Sequence, residues 1–195
     1  MTSSILEKIE MAPKDPILGV TEAYVADQNP NKVNLGVGVY TDDNGKVPVL
    51  QCVRTAEKKL GENATPRNYL PIDGIAAYDR AVQETLFGKD TPAVKDGRIV
   101  TVQTLGGTGG LKVGGDFLKR VNPGVDLYIS DPSWENHRAI FEYAGYTVKT
   151  YPYYDAATNG LKFDAMMACF ESLPARTVVL LHACCHNPTG VDLNA

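Results

Sequence analysis

Thr177-Val178-Val179-Leu180-Leu181-His182-Ala183-Cys184-Cys185-His186-Asn187-Pro188-Thr189-Gly190 is the stretch that decides how this chain is read. Thr177 to Ala183 predicts a strand apolar on both faces. Such a strand belongs inside a sheet covered by helices on both sides. It then breaks into Asn187-Pro188-Thr189-Gly190, which sets a polar amide at the mouth of the sheet. Pro188 fixes the backbone there and is a candidate for a cis peptide bond.

Outward from this stretch the chain alternates. Ile99-Val100-Thr101-Val102-Gln103-Thr104-Leu105 is short, β-branched and strand-like, and Gly109 to Val121 follows as a helix. Asp126 to Ser130 predicts a second strand, with Ser133 placed to cap a helix from Trp134 to Ala144 that Gly145 ends. Tyr146 to Tyr151 is a third strand, Asp155 to Gly160 a turn, and Phe163 to Leu173 a helix closed by Pro174. Strands alternating with helices predict an α/β architecture, a mostly parallel sheet flanked by helices. Nearer the start, Val53 to Gly61 and Asp73 to Phe87 read as helices, the latter stopped by Gly88. Asp42-Asp43-Asn44-Gly45 is a tight turn and Asn34 to Tyr40 an extended stretch. Met1 to Ala12 reads as a helical or extended arm, with Pro13 and Pro16 ending any helix begun there.

The 195 residues are enough for one ordinary domain with a full core, and 44% apolar against 22% charged residues is a globular composition. Net charge is −4, from 19 Lys+Arg against 23 Asp+Glu, and no basic tract interrupts the balance. Neither nucleic acid nor an anionic membrane surface is expected as a partner. No apolar run approaches the roughly 18 residues of a bilayer span, and Met1 to Ile17 lacks the continuous apolar segment of a secretory signal. Cys52, Cys169, Cys184 and Cys185 have no regular spacing, and adjacent cysteines rarely bridge each other. Reduced thiols and a cytoplasmic location are expected.

Ligands of open parallel sheets bind beyond the carboxyl ends of the strands, where three loops here carry ligand-type residues. Gly106-Gly107-Thr108-Gly109-Gly110 joins a strand to a helix. It reads either as a phosphate cradle, with free N–H groups and the Thr108 hydroxyl, or as a tight flexible turn. It is not a dinucleotide fingerprint, because the third glycine position falls on Lys112. Gly114 and Gly115 lie inside the following helix, where close packing would account for them. Trp134, the single tryptophan, either lies flat on a planar cofactor or packs as a cap, and His137 sits one turn further on the same face. Asn187 can donate to a ring oxygen, or simply end a strand. His182, Cys184 and His186 are the most a metal could gather here, because alternation on a strand points Cys184 and Cys185 apart. No metal is expected. Tyr69, taken alone, is a surface tyrosine.

Together these residues resemble the class I pyridoxal-phosphate aminotransferases, specifically the aspartate and aromatic amino-acid group. The resemblance rests on five blocks in family order: Asn34 to Tyr40, Asn68 to Gly74, Thr104 to Gly109, Asp131 to His137 and His182 to Gly190. It implies the first half of the large domain of a fold type I PLP-dependent transferase, with part of a small domain. Residues 1–12 would be an arm clasping a partner subunit, 13–46 small domain and 47–195 large domain. The cofactor implied is pyridoxal 5'-phosphate. Gly106, Gly107 and Thr108 would hold its phosphate, Trp134 would stack on its ring and touch substrate, and Asn187 would bond the phenolic oxygen and help seat the substrate carboxylate. Gly38 would contact substrate. Tyr69 would reach the phosphate in the neighbouring subunit of a homodimer, and His137 would steer the acid on the ring nitrogen. Gly106 stands where many relatives have serine, and Gly110 where alanine is usual. The implied activity moves an amino group between an aspartate-type or aromatic amino acid and a 2-oxo acid such as 2-oxoglutarate. Family members are about twice this length, and no lysine here stands in the setting of the Schiff-base lysine. No catalytic residue is therefore assigned. The chain alone is expected to be inactive, or to serve as a non-catalytic phosphate-binding or subunit-interaction fragment. Without the family's later strands, Ile99 to Leu105 would present an apolar edge.

Overall fold

The computed structural model describes residues 5–8, 16–34 and 38–194. Contacts divide the chain into two units, residues 1–67 and 68–195. The first holds a 3-10 turn (Ile5–Lys8) and the helices α1 (Pro16–Ala26) and α2 (Gln51–Glu62). Pro16 opens α1, a helix the sequence reading did not predict. At the first helical position proline gives up only an N–H that has no intrahelical acceptor. The turn at 42–46 forms as predicted: Gly45 takes φ +70, and Asp42 Oδ1 accepts from the N–H groups of Asn44 and Lys46, each at 2.9 Å. Most of the predicted arm, and Leu35 to Val37 of the extended stretch, lie outside the described residues.

The second unit runs α3 (Ala76–Phe87), α4 (Pro92–Lys95), α5 (Gly106–Val121), β1 (Leu127–Asp131), α6 (Glu135–Tyr143), β2 (Val148–Pro152), β3 (Tyr154–Asp155), β4 (Gly160–Leu161), α7 (Phe163–Ser172) and β5 (Val178–Val179). β1 is the middle strand of a parallel sheet ordered β2-β1-β5, with Leu127 opposite both Val148 and Val178. Strand alternation splits the apolar residues between two faces. Leu127 and Ile129 pack with Phe141, Tyr146 and Val148 beneath α5 and α6. On the other face Tyr151, Tyr153 and Met166 are buried, with Tyr128, Phe170 and Val179 packed against them. The chain is therefore α/β, a parallel sheet flanked by helices, as the alternation predicted.

Several boundaries differ from expectation. Residues 98–104 form no ladder among the described residues. A β-branched run is a strand only when it has a partner, and here Val100 and Leu105 are exposed. What holds this run is lateral: Gln103 N–H donates to Asp73 O at 2.9 Å, and Gln83 Nε2 donates to Thr101 Oγ1 at 2.8 Å. The last strand shrinks from the predicted Thr177–Ala183 to Val178–Val179 and lies at a sheet edge. Only Leu127 and Tyr128 of β1 pair with it. Ser133 does not cap α6: Trp134 occupies the N-cap with no side-chain cap bond, and Ser133 Oγ instead meets His137 Nδ1 at 2.9 Å.

Helix α5 starts three residues before the predicted Gly109, so the glycine cluster is its first turn rather than a loop. The two glycines further on separate cleanly. A Cβ on Gly115 would sit 3.1 Å from Phe141 Cδ1 and 3.4 Å from Ala144 Cβ, whereas one on Gly114 meets nothing within 4 Å. Close packing explains Gly115 only. Gly114→Ala is expected to raise stability by about 0.8 kcal/mol, the helix-interior cost of glycine. Urea unfolding followed by Trp134 emission checks this, and a lower midpoint for the variant would refute it.

Candidate functional site

The first turn of α5 has the donor set of an anion site. Gly106 takes φ +65, and the first N–H to find an intrahelical acceptor is that of Gly109, bonded to Leu105 O at 3.3 Å. The N–H groups of Gly107 and Thr108 precede it and have no acceptor within the helix. Space in front of them is open, since a Cβ on Gly106 or Gly107 would meet nothing within 4 Å. The positive end of the helix dipole adds to their attraction for an anion.

Helix α6 begins at the same end of the molecule. Gly115 lies against Phe141 and Ala144, and Lys119 lies against Gly145, so α5 and α6 run in the same direction. Counting back at about 1.5 Å per residue puts both first turns beyond the carboxyl end of the sheet, that of α5 projecting a few ångströms further. Trp134, half-buried, heads α6. Its indole meets the His137 ring edge-on, with centroids 5.1 Å apart.

The third loop joins Trp134 through histidines. The chain has 3, and all lie together: His137 and His182 ring centroids are 5.1 Å apart, and those of His182 and His186 are 4.3 Å apart. His186 is almost fully buried. It stacks on Tyr153 at 3.9 Å, and its two ring nitrogens meet Ser130 Oγ and Thr189 Oγ1, each at 2.8 Å. Asp192 holds the loop from below, accepting from Cys185 N–H at 2.8 Å and His186 N–H at 2.7 Å. Those two bonds keep the Asp192 carboxyl below its ordinary range. The Asn187–Pro188 bond is cis and Asn187 is exposed, directly after the buried imidazole.

Burial dominates the electrostatics. It pulls His137 down to about 4, with His182 and then His186 adding repulsion. It also lowers His182 and His186, which Asp192 partly opposes. All three rings are therefore held neutral near pH 7. His182 Nδ1 is buried without a hydrogen-bond partner.

The structure thus brings Trp134, His137 and the loop leading into Asn187 into one cluster. The glycine turn lies at the same end but lines a different cleft: Gly106 and Gly107 border one of about 380 Å³ with Tyr78 and Gln103, while Trp134 borders one of about 270 Å³ with Ser133 and Arg138. Tyr69 is fully exposed. Gly38 is exposed and belongs to the other unit. Sequence reading missed Ser130, Tyr153, Thr189 and Asp192, whose roles depend on tertiary contacts. It weighed His182 and His186 only as metal ligands. Among the described residues, no group of three or more His, Cys, Asp or Glu side chains is placed to hold a metal, and no helix is long and apolar enough to cross a membrane.

A family model described as aminotransferase class I and II matches residues 30–195. The aspartate aminotransferase of Pseudomonas aeruginosa is 57% identical over 190 residues, covering 97% of this chain and 48% of the relative. The aromatic-amino-acid aminotransferase of Escherichia coli K12 is 50% identical over 192 residues, with 97% and 48% covered. Among solved structures, the aromatic-amino-acid aminotransferase of Burkholderia pseudomallei, covalently bound to pyridoxal phosphate, superposes with a TM-score of 0.94 at 60% identity, covering 98% of this chain and 48% of that one. The chain spans about half the length of the curated relatives it matches.

Proposed function

The chain belongs to the class I and II aminotransferases, and from that premise we propose that it forms the phosphate-and-ring cradle of an enzyme moving an amino group between an aspartate-type or aromatic amino acid and a 2-oxo acid. The observation carrying this reading is the first turn of α5, where the N–H groups of Gly107 and Thr108 lack an acceptor within the helix and suit a phosphate dianion. The indole heading α6 at the same end suits a planar ring, so the residues present fit pyridoxal 5'-phosphate. Bound there, the cofactor supplies an electron sink for the substrate carbon that loses its proton.

The chain's own groups bind and orient. Gly107 and the Thr108 N–H and hydroxyl take the phosphate, Gly106 shapes the turn with its own N–H donated to Thr104 O at 3.1 Å, Trp134 covers one face of the ring, and Asn187 donates to the ring oxygen and helps seat the substrate carboxylate. His137, held neutral by burial, positions the group on the ring nitrogen without adding charge. Gly38 lies on the substrate side. Tyr69, fully exposed, is free to reach a neighbouring subunit's phosphate in a homodimer. Four unbridged cysteines suit a reducing, cytoplasmic setting. No group here is assigned to proton transfer, so the 195 residues alone bind without turnover.

Equilibrium titration with pyridoxal 5'-phosphate tests this. Thr108→Ala removes a hydrogen bond to a charged group, about 1.5–3 kcal/mol, and is expected to weaken binding roughly tenfold or more. Inorganic phosphate should compete. Failure of the parent chain to bind, or equal affinity in the variant, would overturn the assignment; sustained transamination by the chain alone would overturn the claim that it lacks the base.

A further inference from the structure

On the reading that Asn187 donates to the ring oxygen, from which this one follows, we propose that His186 is a positioning residue that fixes where the Asn187 amide points. The turn carrying Asn187 is closed twice. Gly190 N–H donates to His186 O at 2.7 Å. His186 Nδ1 meets Thr189 Oγ1 at 2.8 Å, across the intervening Asn187 and Pro188. The other ring nitrogen, Nε2, meets Ser130 Oγ at 2.8 Å. Ser130 stands one residue before the end of β1, and the loop leaving that strand end leads to Trp134. The imidazole therefore ties the amide and the indole to one strand end.

The ring is itself held on every side by its own chain. It is 2% exposed and stacks on Tyr153 with its plane 13° from parallel. Tyr153 OH donates to Val191 O at 2.6 Å, within the segment that follows the same turn. The His186 N–H donates to Asp192. All of these contacts are made inside the second unit. A neutral imidazole has one donor and one acceptor nitrogen, and a hydroxyl can serve either. Ser130 and Thr189 thus satisfy both nitrogens at once. A side chain lacking them would leave those hydroxyls unpaired and the turn free to swing. An amide that swings must be ordered at the moment of binding, which lowers affinity.

The first readout is amide exchange in the 195-residue chain without ligand, followed residue by residue by NMR. His186→Phe keeps a ring against Tyr153 and removes both nitrogens. Thr189→Val removes one hydroxyl, and Thr189→Ser restores it. The N–H groups of His186 and Gly190 should exchange roughly tenfold faster or more in the first two variants and near the parent rate in Thr189→Ser. Leu127, in the middle strand, is the reference. Unchanged rates at His186 and Gly190, or an equal acceleration at Leu127, overturn the proposal. Should His186→Phe misfold, Thr189→Val decides.

The second readout is titration with pyridoxal 5'-phosphate. His186→Phe and Thr189→Val should each weaken binding roughly two- to tenfold, the cost of ordering one side chain. Neither should add to the loss already caused by Asn187→Ala, whereas Thr108→Ala, on the other loop, should multiply with each. Losses that multiply with Asn187→Ala, or no loss while Thr108→Ala weakens binding as expected, overturn the role of His186 and leave the cradle standing. A parent chain that binds no pyridoxal 5'-phosphate overturns the cradle instead, and amide exchange then decides alone whether His186 pins the turn.

Discussion

Acidification from pH 6.5 to about 4 strips this protein of stability, and the three clustered histidines are the expected cause. An unfolded histidine takes up a proton near pH 6.5. In the folded chain burial, then His182 and His186, hold His137 neutral down to about 4, and burial lowers His182 and His186 as well. Between the two values the unfolded state binds more protons than the folded one, so stability rises with pH across that window and falls as pH drops through it. Above pH 6.5 neither state is protonated and the contribution is flat. Each proton taken up on unfolding contributes a slope of about 1.4 kcal/mol per pH unit. At the acid end Asp192, lowered by its two backbone bonds, adds to the loss as it protonates. Urea midpoints at pH 7, 5.5 and 4.5 should decline steeply, and His137→Asn should flatten the decline by one proton's share. A midpoint unchanged from pH 6.5 to 5 would mean the imidazoles are solvated in the folded state.

Gly74→Ala is the substitution expected to do most harm. Gly74 is buried with φ +103, and an added Cβ would overlap the Gln103 Cβ and lie 2.8 Å from Gln103 Oε1. Neither neighbour can yield easily. Gln103 N–H donates to Asp73 O at 2.9 Å, and Gln103 Oε1 accepts from Ile75 N–H at 3.1 Å. Left-handed backbone and overpacking each cost about 1–3 kcal/mol, so a loss of roughly 3 kcal/mol or more is expected, about 10 °C in melting temperature for a chain of this size. Gly88→Ala separates the two causes. Gly88 also has positive φ, at +81, but its Cβ would meet only Thr91 Cγ2, at 3.9 Å. Thermal melts should show Gly74→Ala losing at least twice as much as Gly88→Ala; equal losses would show that the Gln103 contact gives way.

What the sequence made legible was periodic or local. The alternation after residue 98 gave the parallel sheet and its covering helices. Gly88 and Gly145 ended α3 and α6, each with positive φ. Asp42-Asp43-Asn44-Gly45 folded as its turn chemistry dictates. What stayed hidden depends on neighbours that no short window contains. Residues 99–105 carry strand residues but form no ladder. Ser133, placed to cap a helix, bonds an imidazole four residues on instead. Trp134 and His137 were legible as a pair because helical spacing sets them on one face. The bonds of His186 to Ser130, 56 residues earlier, and of Asp192 to the loop backbone were not. The glycine turn was found through its composition; that it forms the first turn of α5 itself, with Gly106 N–H donated to Thr104 O, was not.

The histidines also give this molecule an unusual transparency. All 3 in the chain, and its single tryptophan, occupy the same corner. Any magnetic-resonance signal filtered for imidazole protons, and any ultraviolet transition peculiar to indole, therefore originates there with no background from the remaining residues. Composition alone has labelled this corner, so an experimenter can watch it without isotopes, tags or dyes.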